Sequence, residues 1–151
     1  MTMLDSYVYH VGLEWTEKRS GVLTEESLPP LSVSAPPEFS GEPGTWSPEN
    51  LLVAAASSCL MVTFQALAER SKLHVFSYRA EAYGRLENMP EEGYRFTEIV
   101  LVPEIGVVGE DVARALKILS KAEKNCFVGK SLRSTVQVEP RFVPAAAPVG
   151  V

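Results

Sequence analysis

The sequence predicts one α+β domain, residues 1–151, with two helices packed on largely antiparallel sheet. Three observations lead there. Leu51 to Ala68 carries no charged residue, and 14 of its 18 side chains are apolar. Downstream, Val112, Ala115, Leu116, Leu119, Ala122 and Cys126 recur at the three, four and seven spacing of an amphipathic helix. Around both stretches, shorter segments alternate apolar and polar with the period of two that half-buried strands show. The order strands, helix, strands, helix, strand is that of an α+β fold.

The elements follow in order. Tyr7, Tyr9, Val11, Leu13 and Trp15 place apolar residues at odd positions, a first strand. Thr16 to Ser20 is turn-like, and Gly21 to Thr24 returns as a second strand. Leu31, Val33 and Ala35 suggest a short third one, fenced by Pro29-Pro30 and Pro36-Pro37. A loop rich in proline and glycine then feeds the long helix. Ser47 is placed to cap it, Pro48 occupies a first-turn position where a missing N–H costs nothing, and Glu49 puts a negative charge at the positive end of the dipole. An apolar stretch without a solvent face implies burial on several sides. Ser57, Ser58, Thr63 and Gln65 interrupt it, which favours a core helix over a membrane span. His74 to Leu86 alternates again, Glu87 to Gly93 reads as a hairpin loop with a solvated Glu91-Glu92 tip, and Tyr94 to Val102 is rich in β-branched and aromatic residues. Gly129 is placed to stop the second helix, Ser134 to Glu139 forms a last strand, and a loose Pro/Ala tail runs from Val143 to Val151.

The net charge of −5 and pI near 5.1 argue against a nucleic-acid surface. Two cysteines without a basic, apolar leader point to a reducing cytoplasm. His10, His74, Cys59 and Cys126 offer no pair at metal-ligand spacing, so neither metal nor cofactor is expected. Gly129-Lys130-Ser131 ends like a phosphate loop, but Lys124 stands where the leading glycine belongs. The cysteines remain. Facing cysteines on helices packed 8–10 Å apart would have Cα atoms roughly 4–6 Å apart, within disulfide range. Two readings stand here, ordinary buried thiols or a redox pair.

SPENLLVAAASSCLMVTFQALAE resembles the signature of the OsmC/Ohr family of thiol-dependent hydroperoxide reductases, in which Pro-Glu opens the central helix and a cysteine follows ten residues after the glutamate. KAEKNCFVGKSL resembles the family's second motif, with Phe127 where the family usually has proline. The resemblance implies an OsmC-like fold, an intertwined homodimer, and a two-cysteine peroxidase acting on organic hydroperoxides. Cys59 would be the attacking thiol, passing through a sulfenic acid, and Cys126 would close a disulfide with it. A dithiol, of lipoyl type in the family, would reduce the pair. A thiol in apolar surroundings needs a cation to ionise, and Arg19, oriented by Glu49, is the candidate. The plainer readings are an exposed loop arginine and a first-turn dipole partner. About 15 Å of helix separates Glu49 from Cys59, so the two would meet only across a dimer. The rival expectation is a non-catalytic small-molecule-binding or structural member of the same fold.

Overall fold

A computed structural model describes residues 4–144, which fall into two compact units divided at Leu51/Leu52. In the first unit, strands β1 (Gly12–Glu17), β2 (Ser20–Glu25) and β3 (Leu28–Ser34) form an antiparallel sheet in the order β1-β2-β3. The alternation of Tyr7, Tyr9 and Val11 does not become a strand; these residues precede β1 and are exposed, as are Leu13 and Trp15 within it. Pro29-Pro30 lies inside β3 rather than fencing it. Proline is tolerated there because β3 is an edge strand and its register with β2 slips between Leu23 and Glu25.

Helix α1 (Pro48–Arg70) starts as its sequence says. The Asn50 N–H donates to Ser47 Oγ at 3.1 Å, and Asn50 Oδ1 accepts from the Ser47 N–H at 3.2 Å and its hydroxyl at 2.8 Å. This is a reciprocal capping box closed by Asn50. Burial on several sides is not what the chain shows. Only Ala56, Leu60, Phe64 and Ala68, one stripe at four-residue spacing, are fully buried, and Val62 is exposed. Among the described residues α1 is the one helix long and apolar enough to cross a bilayer, yet that stripe belongs to a protein core.

In the second unit, β4 (Ser77–Met89) and β5 (Gly93–Val107) form a long antiparallel hairpin. Its turn needs positive φ at Glu91 and at Gly93. Glu92 is not merely a solvated tip, since it pairs with Arg95 at 2.8 Å and Arg133 at 2.9 Å. Strands β6 (Thr135–Val138) and β7 (Arg141–Pro144) both run parallel to β5 on its other edge. Pro103, which has no N–H to give, falls between their two ladders. The first two residues of the expected loose tail, Val143 and Pro144, therefore belong to β7, and the remainder of the tail lies outside the described residues. His74 precedes β4 and packs edge-on against Phe76, with ring centroids 4.3 Å apart.

Helix α2 (Val112–Asn125) buries Ala115, Ile118, Leu119 and Ala122, while Leu116, expected on that face, is half exposed. Gly129 is not its stop. The helix ends at Asn125, Cys126 is extended at φ −69°, ψ 113°, and one further turn, α3 (Phe127–Lys130), runs through Gly129. The core joins the α1 stripe to Ile99, Leu101, Ile105 and Val107 of β5 and to the inner face of α2.

Candidate functional site

The structure brings the two sequence-predicted cysteines together. Cys59 lies on α1, one residue before the buried Leu60, and is partly exposed. Cys126 sits at the break between α2 and α3 and is 4% exposed. It is therefore not on a helix, but hinges two of them. At the break, the Asn125 side chain donates to Lys121 O at 2.7 Å. Both thiols are free, and each bears on the ionisation of the other.

Their environments push them apart. Burial raises the Cys59 thiol, but the Val128 N–H, the Cys126 thiol, the Phe127 N–H and the Thr63 hydroxyl outweigh it, and the net direction is down. Burial raises Cys126 as well; the Gly129 N–H pulls the other way, but the neighbouring Cys59 keeps Cys126 up. The result is one thiol suited to ionise and one suited to hold its proton and donate it. Beyond them lies Tyr78, pushed up to about 12 by burial and by Cys126. Its hydroxyl is buried without a partner among the described residues, while its ring packs on Phe64 at 5.8 Å.

A cavity of about 440 Å³ adjoins Cys126 but not Cys59, with Leu60, Leu101 and Val138 on its apolar wall and Lys124 and Lys130 beside them. Among the described residues no group of three metal-ligating side chains occurs.

Arg19 and Glu49 belong to the first unit and share a different cavity there, of about 450 Å³. Arg19 ends the tight β1–β2 turn, next to Lys18 at φ 48°. Its carbonyl accepts from the Ala35 N–H at 3.2 Å, and its exposed guanidinium donates to Phe39 O. Glu49 Oε2 is buried with no partner, and no Arg19–Glu49 ion pair occurs among the described residues. The bidentate pair expected from the sequence is thus not formed in this chain. The groups that lower Cys59 are backbone N–H groups and neighbouring side chains, with no cation among them. Sequence reasoning missed Phe127 and Val128, because a backbone N–H carries no residue signature. Tyr78 was read only as a strand residue.

Residues 41–141 match the family model described as OsmC-like protein. The uncharacterised protein YmaD of Bacillus subtilis is 28% identical over 142 residues, 91% of this chain and 93% of that one. An OsmC-like protein of unknown function from Vibrio cholerae superposes with a TM-score of 0.82 at 24% identity, covering 89% of this chain and 99% of its own. An organic hydroperoxide resistance protein, OsmC, from Legionella pneumophila gives 0.72 at 23% identity, covering 91% and 98%. These structural likenesses establish the fold, and the family match spans both cysteine motifs. The chain, with its strand–helix order and its cysteines on α1 and after α2, belongs to the OsmC-like protein family.

Proposed function

We propose that the protein is a two-cysteine, thiol-dependent peroxidase that reduces organic hydroperoxides in the cytoplasm, working as a homodimer. The observation that carries this reading is the meeting of Cys59 on α1 with Cys126 at the α2–α3 break, in surroundings that lower the first thiol and raise the second. The Cys59 thiolate attacks the terminal oxygen of the hydroperoxide. The O–O bond breaks, the alkoxide leaves and is protonated to the alcohol, and Cys59 becomes a sulfenic acid. Cys126 then attacks the Cys59 sulfur, water leaves, and a disulfide closes. A dithiol reopens it by exchange. Names in the fold neighbourhood, such as the organic hydroperoxide resistance protein of Legionella pneumophila, favour this chemistry.

Arg19 and Glu49 of one chain serve Cys59 of the partner in this reading. Glu49 Oε2 has an acceptor to spare, and the exposed run of Tyr7, Tyr9, Leu13 and Trp15 is apolar surface of the kind a second copy covers.

The test is a thiol count. Reduced protein given an alkyl hydroperoxide loses both thiols in step with peroxide consumption. Cys59→Ser consumes nothing; Cys126→Ser reacts once and keeps an oxidised Cys59 by peptide mass. Unchanged thiols would instead favour a non-catalytic binding protein.

A further inference from the structure

Two free thiols held together from separate elements are also a pair of soft ligands. Cys59 is fixed by α1 and Cys126 by the break between α2 and α3. Among the described residues no group of three His, Cys, Asp or Glu side chains occurs, so the pair has no third ligand of that kind. Structural zinc takes four ligands and is not served by two sulfurs. Thiolates select soft ions such as Cu(I), and a filled-shell monovalent ion is satisfied by two of them in a line.

Such an ion between two thiolates leaves one net negative charge, and the surroundings complement it. The N–H groups of Val128 and Phe127 meet the Cys59 sulfur, and those of Gly129 and Val128 meet the Cys126 sulfur. Successive backbone amides gathered in this way hold anionic groups. Lys124 and Lys130 stand with Cys126 around the cavity of about 440 Å³. Gly129 lines it too, and a Cβ there would stand 3.6 Å from Cys126 Sγ, so glycine leaves that side of the sulfur to the cavity.

We propose that Cys59 and Cys126 together bind one soft monovalent cation of the Cu(I) class as a two-coordinate dithiolate. The ion takes the place of both thiol protons: the cation and two S–H groups give a sulfur–metal–sulfur bridge with one negative charge, and two protons are released. No electron is transferred and no S–S bond forms. The amides of Phe127, Val128 and Gly129 hold the charge of the bridge. The inference goes beyond the peroxidase reading and does not depend on it.

The test uses the full-length, reduced protein without oxygen or peroxide. Cu(I) is supplied in its coloured complex with bathocuproine disulfonate, and loss of colour reports transfer to the protein. The expected result on the unsubstituted protein is one Cu(I) per chain, protection of both cysteines from iodoacetamide, and an X-ray absorption spectrum with two sulfur neighbours and no nitrogen or oxygen. Zinc at the same concentration should not protect the thiols. No transfer, a third ligand in the spectrum, or equal protection by zinc overturns the proposal, and these readings need no variant. Cys59→Ser and Cys126→Ser should each leave the Cu(I) with the chelator; full transfer to either one overturns the two-sulfur site. Phe127→Pro keeps both thiols and loses one amide, and should weaken binding by about tenfold. An unchanged affinity there overturns the role given to the amides.

Discussion

Phe127→Pro should disarm Cys59 without disturbing the fold. Phe127 is the first residue of α3, a position where proline is welcome, and Cys126 before it already has the extended backbone that a following proline requires. The Phe127 side chain is 77% exposed, so its loss costs little packing. What the substitution removes is one N–H directed at the Cys59 sulfur. A hydrogen bond to a charged group is worth about 1.5–3 kcal/mol. Cys59 is partly exposed, and screening leaves about 1 kcal/mol. That is roughly a fivefold loss of thiolate at a pH where the thiol is mostly protonated. The assay is alkylation of Cys59 by iodoacetamide as a function of pH, read by peptide mass. Phe127→Ala, which keeps the N–H and loses the ring, is the control and should follow the unsubstituted protein. A Phe127→Pro profile that also coincides with it would refute the reasoning, because the N–H would then not be stabilising the thiolate. A shift of equal size in Phe127→Ala would assign the effect to the ring.

Further outcomes follow from the same contacts. Tyr78→Phe should raise the melting temperature, since a buried hydroxyl without a partner costs about 1–3 kcal/mol; a clear loss of stability would reveal a partner. The Tyr78 phenol is raised from 10 to about 12 in the folded state, so its contribution is full below pH 10 and is lost as pH rises through 12. Tyr78→Phe lacks that loss, and alkaline denaturation curves should diverge across this window. Phe64→Ala should cost about 3–5 kcal/mol in urea unfolding, because the ring is fully buried and packs on Tyr78. Gly41→Ala would place a Cβ 1.4 Å from Ala35 O, and a loss of at least about 2 kcal/mol is expected by thermal melting. Cys59→Ser and Arg19→Ala chains refolded together should regain about a quarter of normal peroxide turnover if the site is shared between two chains, and none if it is not.

The parts of the chain that sequence made legible are those whose cause is local. Ser47 and Pro48 announce the start of α1 because capping is settled within one turn, where Asn50 closes the box. The alternation around Tyr78 and Ala82 is legible because each strand of the β4–β5 hairpin has its neighbour close in the chain. Tyr7 to Val11 alternates just as cleanly and forms no strand, because alternation states which face is apolar and not whether a partner is there. The second cysteine shows the same limit more sharply. Ala122 and Cys126 continue the helical spacing of α2, so periodicity carries the helix through Cys126. The helix ends one residue earlier, at Asn125, whose side chain bonds back to Lys121 O. Beyond that end, the amides of Phe127 and Val128 meet Cys59 and lower it. Any non-proline residue supplies such an amide, so only the absence of proline at position 127 shows in the letters of the sequence, and its meaning depends on a helix break that the letters do not announce.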